Sequence, residues 1–260
     1  MVVGVALVAA CGGGGGLAST PSHTPTPLPV VTPTSVQDRC KVPVDGGTLV
    51  TLPGPGGNRV PGATFGDGPV AAVLLHQTAP SGFCGWTSYA AWLAEHGVRA
   101  VLVDLCGWGR AKCTGGFASD AAAQVKVPVE WARAHGATRV VVVGASMGGA
   151  YALGVGQQAG ADAVVDLSGP ADWQGVPGAV EAAKATTVPL LVAIWPGDSQ
   201  MKPAVLRSAV AASPASSKRF LPTDGAHGRL MLDAGSPGTP EWTPLATTVL
   251  GWIKGDYRAG

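Results

Sequence analysis

Four consecutive valines, Val140 to Val143, run straight into Gly144-Ala145-Ser146-Met147-Gly148-Gly149. A serine between glycines, with a buried strand before it and small residues after it, suits a strained strand-to-helix turn that presents a nucleophilic hydroxyl. The helix that follows directs its N-terminal N–H groups toward negative charge developing beside Ser146. The plainer alternative is a glycine-rich packing turn. A serine hydroxyl needs a base, and the base needs an orienting carboxylate. Of five histidines, His23 lies in the N-terminal tail, His76 ends an early apolar run, and His96 and His135 each stand just before a glycine, where they cap helices. Only His227 follows Ser146, in Asp224-Gly225-Ala226-His227-Gly228, and its plainer reading is an exposed loop histidine. For the acid, Asp198 follows the apolar run Val188 to Trp195 in Trp195-Pro196-Gly197-Asp198-Ser199; Asp166 and Asp224 are the alternatives.

The elements that must position these residues alternate strand with helix. Gly47 to Leu52 and Arg59 to Phe65 read as a hairpin around the Gly/Pro-rich turn Pro53 to Asn58. Val70 to His76, Arg99 to Leu105, Arg139 to Val143, Ala163 to Ser168, Val188 to Trp195 and Lys218 to Leu221 read as further strands, mostly with the continuous apolar character of strands covered on both faces. Helical spacing is expected over Trp86 to His96, Ser119 to Ala134 with a kink at Pro128, Ser146 to Gln158, Gly178 to Thr186, Lys202 to Ala212 and Pro244 to Lys254. Strands alternating with helices specify an α/β class with a mainly parallel sheet and helices on both faces. In such a sheet, functional residues gather in loops at the carboxyl ends of the strands, where Ser146, Asp198 and His227 fall.

The chain order Ser, Asp, His on this alternating pattern resembles the α/β-hydrolase fold family over about residues 45 to 256. Within it, the sequence is most similar to the lid-less, dienelactone-hydrolase-like serine hydrolases. His76-Gln77-Thr78 stands where the family has a His-Gly dipeptide after its third strand. The resemblance therefore implies an oxyanion hole formed at Gln77 and Thr78, with the Thr78 N–H as one donor and the Met147 N–H as the other. Asp104-Leu105-Cys106-Gly107-Trp108-Gly109 is similar to the family's structural loop after the fourth strand. About twenty residues separate Ser168 from Val188, too few for a large cap, so an open site is expected. Trp108, Trp173 and Trp195 each follow a predicted strand and either line a substrate cleft or belong to the core. The implied reaction is hydrolysis of a small uncharged ester through an acyl-enzyme, with no metal or cofactor. A peptidase or thioesterase on the same triad, and a non-catalytic surface binding protein, are the alternatives.

Composition sets the remaining limits. Charged residues make up 13% of 260 residues, and 17 Lys plus Arg nearly cancel 16 Asp plus Glu. No nucleic-acid partner is expected, because binding through phosphate neutralisation needs clustered excess positive charge. The 39 glycines and 22 prolines concentrate partly at the front. Val2 to Ala10 fits the apolar region of a signal peptide, and Val8-Ala9-Ala10-Cys11 resembles the bacterial lipobox, in which the cysteine is lipidated. Residues 12–37 read as a Gly/Pro/Thr/Ser-rich disordered tether, and 38–260 as the α/β domain. An exported protein held to the extracytoplasmic face of a bacterial membrane by a lipid anchor alone is expected. Cys40, Cys84, Cys106 and Cys113 allow three disulfide pairings in an oxidising compartment. Cys106 with Cys113 closes a short loop and leaves Cys40 for Cys84; spacing leaves the other two pairings open.

Overall fold

A computed structural model describes residues 32–236 and 239–258 of the chain. Cys11 and the segments expected as signal peptide and most of the tether lie outside the described residues.

The sheet is built around strands that are apolar on both faces. β1 (Thr48–Pro53) and β2 (Arg59–Phe65) form the expected antiparallel hairpin, and β2 runs antiparallel beside β4 (Val98–Val103). β3 (Val70–Leu75), β4, β5 (Arg139–Ala145), β6 (Ala163–Leu167), β7 (Leu190–Ile194) and β8 (Lys218–Pro222) are parallel. The spatial order is β1-β2-β4-β3-β5-β6-β7-β8. Period-two alternation sends Ala71, Val73, Val140 and Val142 into one apolar layer and Ala72, Leu74, Val141 and Val143 into the other. Because both layers are covered, neither face of these strands needs polar residues.

The first layer is closed by α3 (Ala121–Ala134), α4 (Met147–Val155), α5 (Ala179–Ala185) and α6 (Pro203–Ala212), through side chains such as Val125, Leu153, Ala182 and Leu206. The second is closed by α2 (Thr87–Glu95) and α7 (Pro244–Lys254), which bury Leu93, Trp252 and Ile253. A large cap is missing: between β6 and β7 the chain carries only α5. Among the described residues, no helix is long and apolar enough to cross a membrane.

Several boundaries differ from expectation for local reasons. The domain starts earlier than residue 38: Ser35 caps α1 (Val36–Cys40) by accepting a hydrogen bond from the Asp38 N–H, and Val36 is 1% exposed. The described fold therefore takes in residues 35–37, which were expected in the tether. The helix expected from Trp86 is preceded by a 3-10 turn, Gly82–Trp86. Asp120 is the N-cap of α3, its side chain accepting from the Ala123 N–H at 2.9 Å, and α3 continues past the buried Pro128. The helix expected over Ser146 to Gln158 runs only over Met147–Val155: Ser146 itself is non-helical, and the chain passes into turns from Gly156. Of the three pairings, the structure contains Cys40–Cys84 and Cys106–Cys113.

Candidate active site

Ser146 stands between β5 and α4 at φ 50° and ψ −117°, a region that non-glycine residues avoid. Its surroundings leave it no alternative. A Cβ at Gly144 would overlap the Gly148 carbonyl, one at Gly148 would overlap the Leu75 carbonyl, and one at Gly149 would overlap the Asp166 carboxylate. The glycines thus let the strand, the turn and the end of β3 pass at backbone contact. The Ser146 N–H donates to Leu167 O at 2.9 Å, which ties the turn to β6. Ser146 is only 8% exposed, and among the described residues its Oγ makes no hydrogen bond. Met147 opens α4, so its N–H has no acceptor within the helix.

Asp198 and His227 come together from the loops after β7 and β8. His227 Nδ1 lies 2.6 Å from Asp198 Oδ2. The Asp198 carboxylate is mostly buried and the imidazole about one-third exposed. With Nδ1–H donating to the carboxylate, Nε2 is left as the acceptor. The His227 loop bends through Gly225, Ala226 at φ 61° and Gly228 at φ 59°. Gly228 seats it against the Ser146 turn: a Cβ there would lie 3.1 Å from Gln77 Oε1, 3.3 Å from Ala145 Cβ and 3.6 Å from Ser146 N. The three residues singled out from the sequence therefore lie on neighbouring turns at the carboxyl ends of β5, β7 and β8. Neither alternative acid is paired with His227: Asp166 is buried within β6, and Asp224 is exposed.

The segment after β3 holds a residue whose part the sequence did not disclose. His76 is buried, its Nδ1 lies 2.7 Å from Gln77 O, and its Nε2 accepts the Leu105 N–H at 3.0 Å. Nδ1 is therefore the donor, and the ring is neutral. Burial pushes its pKa below the ordinary histidine value, against the Gln77 carbonyl and the nearby Asp104, which act in the opposite direction. Because a trans peptide places N–H opposite C=O, holding the Gln77 carbonyl also fixes the direction of the Thr78 N–H. Thr78 itself is exposed. The Gln77 side chain takes no part in this: its Oε1 is buried with no hydrogen-bond partner. A His in the family's His-Gly position was the available sequence signal.

The tryptophans divide. Trp108 and Trp173 are half-buried against the apolar layer that α3 to α6 cover, whereas Trp195 is 42% exposed, with its ring over Gly197 beside Asp198. A cavity of about 630 Å³ lies behind the His227 loop, lined by Leu221, Ala226, Leu230, Met231 and Leu245, and none of Ser146, Asp198 or His227 lines it. Among the described residues, no group of three or more His, Cys, Asp or Glu side chains is placed to hold a metal ion.

No protein-family model and no curated protein matches the chain. Solved structures do. A thermophilic esterase from Thermogutta terrifontis superposes with a TM-score of 0.61 at 15% identity, over 81% of this chain and 99% of that one. A dienelactone hydrolase from Anabaena variabilis gives 0.60 at 17%, over 81% and 97%. An α/β serine hydrolase without a lid from Xanthomonas campestris gives 0.52 at 18%, over 70% and 86%. With the strand order, the turn at Ser146 and the single short helix between β6 and β7, these likenesses identify the chain's architecture as the α/β-hydrolase fold in its form without a large cap.

Proposed function

We propose that this protein is an exported, lipid-anchored serine hydrolase that cleaves small uncharged esters through Ser146, His227 and Asp198. The observation that carries the reading is the Asp198–His227 pair at 2.6 Å beside a serine held at φ 50° on a strand-to-helix turn. His227 Nε2 takes the proton as Ser146 Oγ attacks the ester carbonyl carbon. The Thr78 and Met147 N–H groups receive the oxyanion, and Asp198 holds the tautomer and balances the imidazolium. Collapse breaks the bond to the alkoxy oxygen, which leaves as the alcohol with the proton from His227. Water then adds to the acyl-enzyme with His227 as base, releasing the acid and restoring the serine. Before substrate arrives, Ser146 Oγ and Nε2 need not yet be hydrogen-bonded, since such contacts tighten on substrate binding.

The short β6–β7 connection favours an open site suited to small substrates, and the esterase and dienelactone-hydrolase neighbours support the ester class. Two disulfides favour an oxidising compartment, which agrees with a signal peptide over residues 1–11, lipidation at Cys11 and a tether up to Ser35. The test is labelling of the purified soluble domain by a fluorophosphonate, then turnover of short p-nitrophenyl esters, with Ser146→Ala alongside. Labelling and turnover that vanish together in the variant are expected. Labelling that persists removes Ser146 as nucleophile, and labelling without turnover of any ester moves the reading to a peptidase or a surface binding protein. For the anchor, Cys11→Ala is expected to shift the protein out of the detergent phase; unchanged partitioning refutes lipidation.

A further inference from the structure

The N-terminal helix α1 reaches the segment that carries Thr78, and one side chain makes the connection. Arg39 is only 9% exposed at its side chain, and its guanidinium hydrogen bonds and ring contact fall on Asp104 and on residues 81 to 84. Its Nη2 donates to Asp104 Oδ2 at 3.1 Å and to Ser81 O at 3.3 Å. Its Nη1 donates to Cys84 Sγ at 3.4 Å, and its guanidinium lies 5.3 Å from the centre of the Phe83 ring. The Cys40–Cys84 disulfide fastens the next residue of α1 to the same segment.

Asp104 completes the connection from below. Its Oδ1 accepts the Phe83 N–H at 2.9 Å and its Oδ2 accepts the Arg110 N–H at 2.7 Å. Gly82 and Gly109 pack so closely on the carboxylate that neither can carry a Cβ without overlap. The next residue, Leu105, gives its N–H to His76. The chain from His76 to Cys84 is therefore pinned at its start by Leu105 and at its end by Asp104 and Arg39. A turn from Ala79 O to the Gly82 N–H at 2.9 Å joins the pinned end to the residue after Thr78.

We infer that Arg39 is a positioning residue for the oxyanion hole: from α1 it clamps Ser81 to Cys84 onto Asp104 and so fixes where the Thr78 N–H points. This rests on the proposed hydrolase reading and extends it to a residue outside the hairpin and the sheet. Donors for an oxyanion act through placement, so a segment released at one end loses transition-state stabilisation more than substrate binding. Arg also serves several acceptors at once in a way that Lys does not.

The test uses the full chain with both disulfides intact and compares Arg39→Ala and Arg39→Lys with the parent protein. Steady-state hydrolysis of p-nitrophenyl acetate, inhibition by an alkyl trifluoromethyl ketone, fluorophosphonate labelling stoichiometry and the thermal midpoint are measured. In R39A, kcat is expected to fall about tenfold with KM changed less than about twofold, a partial loss of the effect of an oxyanion donor. The ketone, whose adduct carries an oxyanion, is expected to bind weaker by the same factor, while labelling stoichiometry stays full. R39K, which keeps the charge facing Asp104, is expected to recover part of both losses. Unchanged kcat and ketone affinity overturn the inference, as does a loss that only tracks the fraction of protein that labels. If R39A does not fold, R39K carries the same comparison. A parent protein that neither labels nor hydrolyses the ester overturns the hydrolase reading and the clamp together, whereas an active parent with an unaffected R39A overturns the clamp alone.

Discussion

Two buried aspartates lie beneath the two halves of the candidate site, and their surroundings are opposite. Asp104, under the segment carrying Thr78, receives two backbone N–H groups and the Arg39 guanidinium. Asp166, in β6 under α4, receives only the Gly169 N–H, at 2.6 Å, and its Oδ2 has no partner. Each is flanked by two glycines at which a Cβ would overlap the carboxylate, Gly82 and Gly109 around one and Gly149 and Gly169 around the other. A carboxylate surrounded by donors ties separate stretches of chain together. One without them is driven toward its neutral form, and burial raises the Asp166 pKa to about 7 against the single Gly169 hydrogen bond. The half held by Ser146 therefore depends on backbone contact at glycines, and the half held by Thr78 on a charged side-chain network.

The sharpest way to break this contrast is Asp104→Ala. It leaves Arg39 buried without its anion and the Phe83 and Arg110 N–H groups without an acceptor, so a loss of about 3–5 kcal/mol is expected, the range for breaking one partner of a buried pair. Denaturant unfolding measures it, and a cycle with Arg39→Ala is expected to show strong non-additivity. A cost below about 1 kcal/mol would mean that Asp104 is not the tie.

Asp166 carries the next largest effect, and its sign is set by pH. Its folded pKa of about 7 stands above the unfolded carboxylate value near 4, so the folded state holds the proton more tightly. Stability from this group is full below about pH 4, declines as pH rises toward 7 and is flat above that. The decline integrates to on the order of 4 kcal/mol at most. Asp166→Asn removes the titration, and the difference between parent and variant in unfolding free energy is expected to widen in favour of the variant from pH 5 to pH 8. A constant difference across that window would show that the buried carboxyl does not titrate there.

The same contrast explains what could be read from the sequence. The Ser146 turn is a local pattern: glycines around Ser146, after valines that read as a buried strand, specify both place and conformation. The pairing of Asp198 with His227 could be expected because each follows a strand, and because His227 is the only histidine after Ser146. The network on the other side is non-local. Arg39 and Asp104 are 65 residues apart, and nothing in either segment announces the other. His76 was visible as a strand end, but its two hydrogen bonds depend on where the chain turns after β4. Ser35 before Val36-Gln37-Asp38 is an ordinary helix-capping signal, yet it is masked by the Pro/Thr/Ser composition before it. The burial of Trp108 and Trp173 was undecided because a large amphipathic ring suits a cleft and a core edge equally.

Gln77 offers the smallest test, because it separates a backbone role from a side-chain role at one residue. Its carbonyl accepts from His76, an interaction that any residue at this position retains. Its side-chain Oε1 is buried beside Gly228 with no donor to satisfy it. A buried acceptor without a partner costs about 1–3 kcal/mol, and the apolar surface that truncation leaves uncovered offsets part of that gain. Gln77→Ala is therefore expected to be neutral to stabilising by about 1 kcal/mol, a thermal midpoint higher by about 2–4 °C at most for a domain of this size. The same truncation at a satisfied side chain would lower the midpoint. A fall of several degrees would show that the amide has a partner in solution, and would make this segment a side-chain network throughout.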